Sequence, residues 1–474
     1  MVGVAQWLER QLVELKVAGS SPVAHPYNLR MKLFNKYRWI LLLIVFSSVL
    51  RLLIYFQVMN TTPFADYFAY KQWVYKSYSY GFHNLYLTDP DPKQKDLDEP
   101  PGTIYILRGS YEIFLQTAKT LTHFMHLKPG STLWINDNLL IFFLRLPSIL
   151  ADLILGFFVY FFVKTKTNEK IGLISSAFYL LSPPIIYNST VWGQIDSINN
   201  LFFYLALIFL IKRRAFLSVL FYAFSLFVKF SLLPLAPLYL LLAFFGGFFK
   251  RSSFVISVVV VGLIILFLTL PFSSDPFWFI NFAINNTSGM NNSITVNAFN
   301  FWWLILNPII GMSSADANVI FLGLKLSTWG NMLFAIFYIP VILYSFKLIK
   351  KSKLSADKVF LLFIIVAFTT FLFLPRMHER YLYPVLPLLI TWTALGKKYW
   401  VTTAILNIIH FINLYVVWNP IFIFGFFENV IRNQTVDWLL SLMTISIFIP
   451  LYLKLFSIPK LTFKINHKQF MIQL

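Results

Sequence analysis

The chain has 474 residues, of which 58% are hydrophobic and 12% charged, with 53 Phe, 24 Tyr and 13 Trp. A soluble chain carries about 25% charged residues, so a soluble globular domain and a disordered chain are both excluded. With no cysteine, disulfides, zinc-thiolate sites and thiol catalysis are excluded too. The mean hydropathy is +0.70. A net charge of +20 would suggest nucleic acid in a soluble protein; here it bears on membrane sidedness, and no nucleic-acid partner is expected.

Residues 1–30 lack the apolar core and small-residue cleavage site of a signal peptide. The run VAQWLERQLVELKVAGSSPVAHP resembles a translation product read through a tRNA gene just upstream of a reading frame. Residues 1–30 are therefore expected to be a non-native or disordered extension, with Met31 as the start. A short amphipathic helix carrying Trp7, Leu8, Leu12 and Leu15 is the alternative.

From residue 31 onward, apolar windows of ~17–25 residues predict a single all-α polytopic membrane domain over 31–474 with about twelve transmembrane helices, ten to thirteen. The windows are 39–58, 139–163, 171–187, 197–211, 215–229, 232–249, 253–271, 331–348, 359–374, 380–396, 400–418 and 437–455. External loops are expected at 59–138 and 272–330. In the long first loop, Pro100-Pro101 precede Ile104, Leu107, Tyr111, Phe114 and Leu115 at helical spacing, which predicts an interfacial helix on the membrane surface. The aromatic-rich stretches 299–312 and 418–427 read as re-entrant or interfacial pieces.

Charge sets the orientation. With residues 30–38 inside, the cytoplasmic segments hold 23 Lys and Arg against only Glu169 and Asp357, whereas the external segments hold 11 basic and 14 acidic residues. This is the positive-inside bias, and it puts both ends of the chain in the cytoplasm.

A charge at the bilayer centre costs ~2.5–3.5 kcal/mol, so each polar outlier needs a reason. Arg145 and Asp152 sit seven residues apart in one predicted span, on one helix face, and read first as an intramembrane structural pair or network. The others fall at the external ends of spans: Asp66 in PFADYFAYKQW, Gln194 and Asp196 in YNSTVWGQIDSI, Lys229 in FVKFSLLP, and Arg376, His378, Glu379 and Arg380 in LPRMHERYLYP. A carboxylate able to take a proton, together with cations and a histidine able to hold a phosphate, forms a coherent set at the depth of lipid headgroups. Other readings stay open. Asp66 could be a helix cap, Lys229 could snorkel to the interface, and His378 with Arg380 could form an ion-pair knot with Glu379 and Asp196.

Asp66, Glu99-Pro100-Pro101, NSTVWGQIDS, TVNAFNFWWL and MHERYLYPVLPLL together resemble the GT-C glycosyltransferases, and in particular the branch related to GPI mannosyltransferase II. DYFAYKQW is also similar to part of the glucosyltransferases that use dolichyl-phosphate glucose. The resemblance runs from Asp66 to Pro387. It implies a GT-C-like fold and inverting transfer of a hexose, mannose foremost, from a polyprenyl-phosphate sugar to a lipid-linked, glycan or protein acceptor. The reaction would take place at the non-cytoplasmic face of a bacterial plasma membrane or a eukaryotic ER membrane. Carried over residue by residue, it makes Asp66 the general base, assigns the donor phosphate to His378, Arg380, Arg376 and Lys229, and assigns sugar or acceptor contacts to Gln194, Asp196, Glu99 and Trp192.

No cofactor is required by that chemistry, and no metal site is expected. The D-x-D-like pairs Asp89/Asp91 and Asp96/Asp98 read better as a solvated acidic turn than as a divalent-cation site. The competing function classes are a polytopic transporter or lipid flippase and a non-catalytic glycan-binding subunit.

Overall fold

Without water at depth, a spanning segment must pair every backbone N–H and C=O internally, and an apolar sequence of this kind answers with helices. The computed structural model describes residues 26–61, 65–86, 97–124, 133–289, 292–310, 316–396, 398–420, 429–431 and 433–456. The expected extension lies outside the described residues as far as residue 25, as do the acidic run from Asp89 to Asp96 and residues 421–428 of the second aromatic-rich stretch.

In chain order the first half comprises α1 (Pro26–Val58), α2 (Ala65–Ser79), α3 (Pro101–Phe124), α4 (Leu133–Lys166), α5 (Glu169–Leu180) and α6 (Pro183–Ile186), which continues into a π-helical turn, Tyr187–Trp192. There follow α7 (Asp196–Ile211), α8 (Ala215–Val228), a 3-10 turn at Phe230–Leu235, α9 (Ala236–Phe245), α10 (Arg251–Thr269) and α11 (Trp278–Gly289). The rest is β1 (Thr295–Val296), α12 (Phe301–Ile310), β2 (Ile320–Phe321), β3 (Leu324–Lys325), α13 (Leu326–Lys350), α14 (Ala356–Phe373), β4 (Met377–His378), a 3-10 turn at Glu379–Leu382, α15 (Val385–Gly396), α16 (Trp400–Val417) and α17 (Gln434–Phe456).

By length and composition, seven of these helices can cross a membrane: α1, α4, α10, α13, α14, α16 and α17. Taken as one span bent by 49°, α5 and the Pro183–Trp192 segment make an eighth. Among the described residues the protein is thus a multi-pass, all-α membrane protein. Each of the twelve expected windows contains a helix, but length supports a smaller number of crossings. The turn at Lys212–Arg214 and the 3-10 turn at Phe230–Leu235 break the apolar run, leaving α7 with 16 residues and α8 with 14, and α15 has 12. A straight crossing takes ~20.

The bundle is built around α14, which buries every residue from Val359 to Phe373; α1, α10 and α13 present most of their apolar surface outward. The stretch expected to be re-entrant at 299–312 contains α12. Three joints position the polar residues. β1 pairs in parallel with β4, Thr295 opposite Met377 and Val296 opposite His378. Asn300 Nδ2 donates to the Phe371 carbonyl at 3.2 Å and Trp302 Nε1 to that of Phe373 at 2.9 Å, fixing the exit of α14. The start of α3 abuts the end of α8: Thr103 Oγ1 donates to the Val228 carbonyl at 2.6 Å, and a Cβ on Gly102 would lie 2.5 Å from the Phe227 carbonyl oxygen.

Candidate active site

Asp66 is the second residue of α2, where the positive end of a helix favours a carboxylate. Its Oδ2 accepts a hydrogen bond from Gln194 Nε2 at 2.5 Å. One helical turn on, the Tyr70 hydroxyl donates to Gln194 Oε1 at 3.4 Å. Gln194 is presented by an unusual backbone. The π-turn Tyr187–Trp192 ends at Gly193 with φ +76°, and the Gln194 amide closes on the Asn188 carbonyl at 3.0 Å. Only glycine fits this exit, because a Cβ would lie 2.6 Å from Arg145 Cγ in a left-handed conformation that L-residues avoid.

Around this pair lies a continuous ionic network. Arg380 reaches Asp66 at 3.8 Å, Asp196 at 3.9 Å and Glu379 at 3.1 Å. Lys229, at the end of α8, reaches Asp196 at 3.0 Å and Glu99 at 3.6 Å. Both cations approach the Tyr381 ring, at 5.8 and 5.9 Å from its centroid. Four carboxylates therefore meet two fixed cations, and Arg380 makes the ion-pair knot with Glu379 and Asp196 that the sequence left open. Glu99 comes to Lys229 because the contact between α3 and α8 brings the two chain segments together.

The electrostatics follow from burial. Loss of water pushes the Glu99 carboxyl up to about 7, although the Lys229 ammonium opposes the shift. Glu379 is raised for the same reason, against the pull of Arg380. The Tyr70 phenol is raised well above its ordinary value by burial, reinforced by the Asp66 and Glu99 charges. The site thus disfavours further negative charge unless a proton or a cation accompanies it.

His378 does not touch Asp66. It is linked to it through Glu379 (His378 Nδ1 to Glu379 Oε2, 3.9 Å) and then Arg380, and it is a quarter exposed. Arg376 stands at φ +66° and is held by its amide on the Ile294 carbonyl at 2.8 Å, next to the β1–β4 ladder. Trp192 is buried in an apolar cluster with Phe299, Trp303 and Tyr415.

Arg145 and Asp152 do not pair. Seven residues rise ~10.5 Å along a helix, so sharing a face does not bring their side chains together. Arg145 Nη1 donates to the Thr190 carbonyl at 3.1 Å, holding the π-turn. Asp152 instead faces Arg51 of α1 at 3.7 Å and accepts from the hydroxyls of Tyr179 at 3.0 Å and Tyr383 at 2.5 Å. The Tyr383 hydroxyl is also 3.1 Å from Ser197 Oγ, so this inner network adjoins Asp196. The sequence reading missed Arg51, Tyr383, Asn300 and Asn413. Arg51 was the detectable one, a single arginine inside an apolar window. Asn413, which bonds the Phe299 amide at 3.0 Å and the Asn297 carbonyl at 2.6 Å, carried no signal beyond an amide in an apolar helix.

A cavity of about 20 Å³ lies between Asp196, Ser231, Thr370 and Tyr381, room for a water. Among the described residues, no three His, Asp or Glu side chains converge so as to hold a metal ion.

No protein-family model matches the chain, and no curated protein matches it. Fold and site geometry therefore stand alone. They describe a multi-pass membrane protein in which an acidic, cation-bridged cluster gathers at helix ends.

Proposed function

We propose that the protein is an integral-membrane glycosyltransferase that moves a hexose, mannose foremost, from a polyprenyl phosphate to an acceptor hydroxyl at the non-cytoplasmic face. In this reading the shorter apolar helices complete about twelve crossings. The observation that carries it is Asp66: a carboxylate 17% exposed, 3.8 Å from a guanidinium and oriented by a neutral amide. A general base needs that combination of access and fixed direction.

The reaction balances on these groups. Asp66 takes the acceptor hydroxyl proton as that oxygen bonds to the sugar C1. The C1–O bond to phosphate breaks, and the polyprenyl phosphate leaves with the electron pair. Charge growing on that phosphate calls for cationic donors, the role given to Arg380 and His378, with Arg376 and Lys229 nearby. At 3.8 and 3.9 Å, the Arg380 contacts to Asp66 and Asp196 exceed the ~2.7–2.9 Å of a charge-assisted hydrogen bond, so a phosphate oxygen can compete for the guanidinium. Glu99 and Asp196 hold Lys229 from either side, and a protonated Glu99 lowers the negative charge that a phosphate meets.

The test is Asp66→Asn in purified protein supplied with a panel of polyprenyl-phosphate sugars. Transfer is expected to fall about 10²–10⁴-fold, the usual contribution of a general base, with donor binding retained; full turnover would refute the role. His378→Ala and Arg380→Ala should weaken donor binding, and unchanged affinity would remove both from the phosphate site.

A further inference from the structure

A second charged site lies at the other end of α8. The helix begins at Ala215 and ends at Val228, beside Lys229, so its two ends stand roughly 20 Å apart. At the Ala215 end is a cavity of about 510 Å³ lined by Arg213, Arg214 and Lys250, with Phe216, Phe248 and Phe249 on its walls. Ligand pockets occupy ~300–1,000 Å³. The cations come from two turns that are distant in sequence, one between α7 and α8 and one between α9 and α10, and they meet because α8 and α10 pack side by side.

No acid lines this cavity. Among the described residues, Arg213, Arg214 and Lys250 have no ion-pair partner. The neighbouring turn differs: there Lys164 is paired with Glu169 at 3.3 Å. Next in the chain to Arg213, burial lowers the Lys212 ammonium, and the Lys166 charge lowers it further. Arg214 and Lys250 also stand at the first turns of α8 and α10, and neither helix has a side-chain cap. Their amide dipoles thus add to the same positive field.

We propose that this basin binds the headgroup phosphate of an anionic phospholipid, its acyl chains running along the apolar helices past the Phe walls. Three convergent cations supply the charge complementarity, and the phenylalanines supply an apolar surface that a free anion would not use. By the distribution of Lys and Arg, the basin belongs to the cytoplasmic leaflet, where anionic lipids attract juxtamembrane basic segments.

The experiment reads retained lipid by native mass spectrometry of the full chain taken from mixed phosphatidylglycerol and phosphatidylcholine bilayers. The wild type should retain phosphatidylglycerol preferentially. Removing all three charges, in Arg213→Gln/Arg214→Gln/Lys250→Gln, should lower that preference roughly a hundredfold, about fivefold for each cation near the surface. Because Arg214 is exposed, Arg214→Gln alone should leave the fold intact and lose about fivefold. A charge-matched control, Lys350→Gln/Lys351→Gln/Lys353→Gln, should keep the wild-type preference. Wild-type preference in both basin variants, an equal loss in the control, or full displacement by excess inorganic phosphate would each overturn the proposal, the last by identifying a free anion as the occupant.

Discussion

Gln194 Nε2 donates to Asp66 Oδ2 across 128 residues of chain, so a turn between two apolar helices orients the carboxylate of a third helix, α2. A hydrogen bond to a charged group is worth ~1.5–3 kcal/mol. Gln194→Ala should therefore cut kcat for sugar transfer about 10–100-fold with little change in donor affinity. Gln194→Glu should do worse, because it sets a second carboxylate against the first. Steady-state kinetics on both variants decide the matter; an unchanged kcat in Gln194→Ala would show that the amide is a bystander.

Lys229 is 4% exposed and lies between two carboxylates. Truncating one member of a buried ion pair leaves its partners uncompensated, at a cost of ~3–5 kcal/mol. Lys229→Met should lower thermal stability in detergent by that order, and adding Asp196→Asn should recover part of the loss. A lysine that only snorkels would produce neither the loss nor the recovery in melting curves.

Glu99 gives the fold a pH dependence of definite sign. Its carboxyl rises from an ordinary 4.5 to about 7, so between those values the folded protein holds a proton that the unfolded chain has released. Its contribution to stability is complete below about pH 4.5 and is lost as pH rises to about 7. Melting temperature measured across this window should fall in the wild type and fall less in Glu99→Gln, which keeps the neutral form at every pH. Parallel slopes in the two proteins would contradict the burial argument.

At Gly193 two penalties coincide: a left-handed φ of +76° and a 2.6 Å approach to Arg145 Cγ. Gly193→Ala should cost at least ~1–2 kcal/mol from the backbone alone. It should also release Gln194 from Asp66, lowering transfer more than stability. Arg145→Ala in the same background removes the clash but also the Thr190 hydrogen bond that holds the π-turn, so it should not restore transfer. Equal stability of Gly193→Ala and wild type would mean that the turn has another low-energy form.

The membrane character and the placement of nearly every helix were legible because apolar windows and basic loops are local signals. The number of crossings was not: the breaks at Lys212–Arg214 and after Lys229 already separate the sequence windows, but composition does not tell whether helices of 16 and 14 residues cross. The polar residues drawn from separate stretches of sequence did gather: Asp66, Gln194, Asp196, Lys229, Glu99 and Arg380 form one network. Pairing was less legible than membership. Asp152 chose Arg51 over the same-face Arg145 because contact between helices, which depends on the bundle's three-dimensional arrangement, outranks spacing along one helix. The resemblance assigned Trp192 a sugar or acceptor contact, yet Trp192 is buried in one apolar cluster with Phe299 and Trp303, which come from more than a hundred residues away.

Arg51 bonds the Leu180 carbonyl at 2.9 Å, 129 residues downstream, where the helix break at Pro183-Pro184 leaves a backbone acceptor without its own partner. The ribosome therefore delivers the cation long before either Asp152 or that acceptor exists. For the whole of that interval α1 carries a charge for which hydrocarbon offers no company. Its final seating in lipid therefore waits on the arrival of α4 and α5.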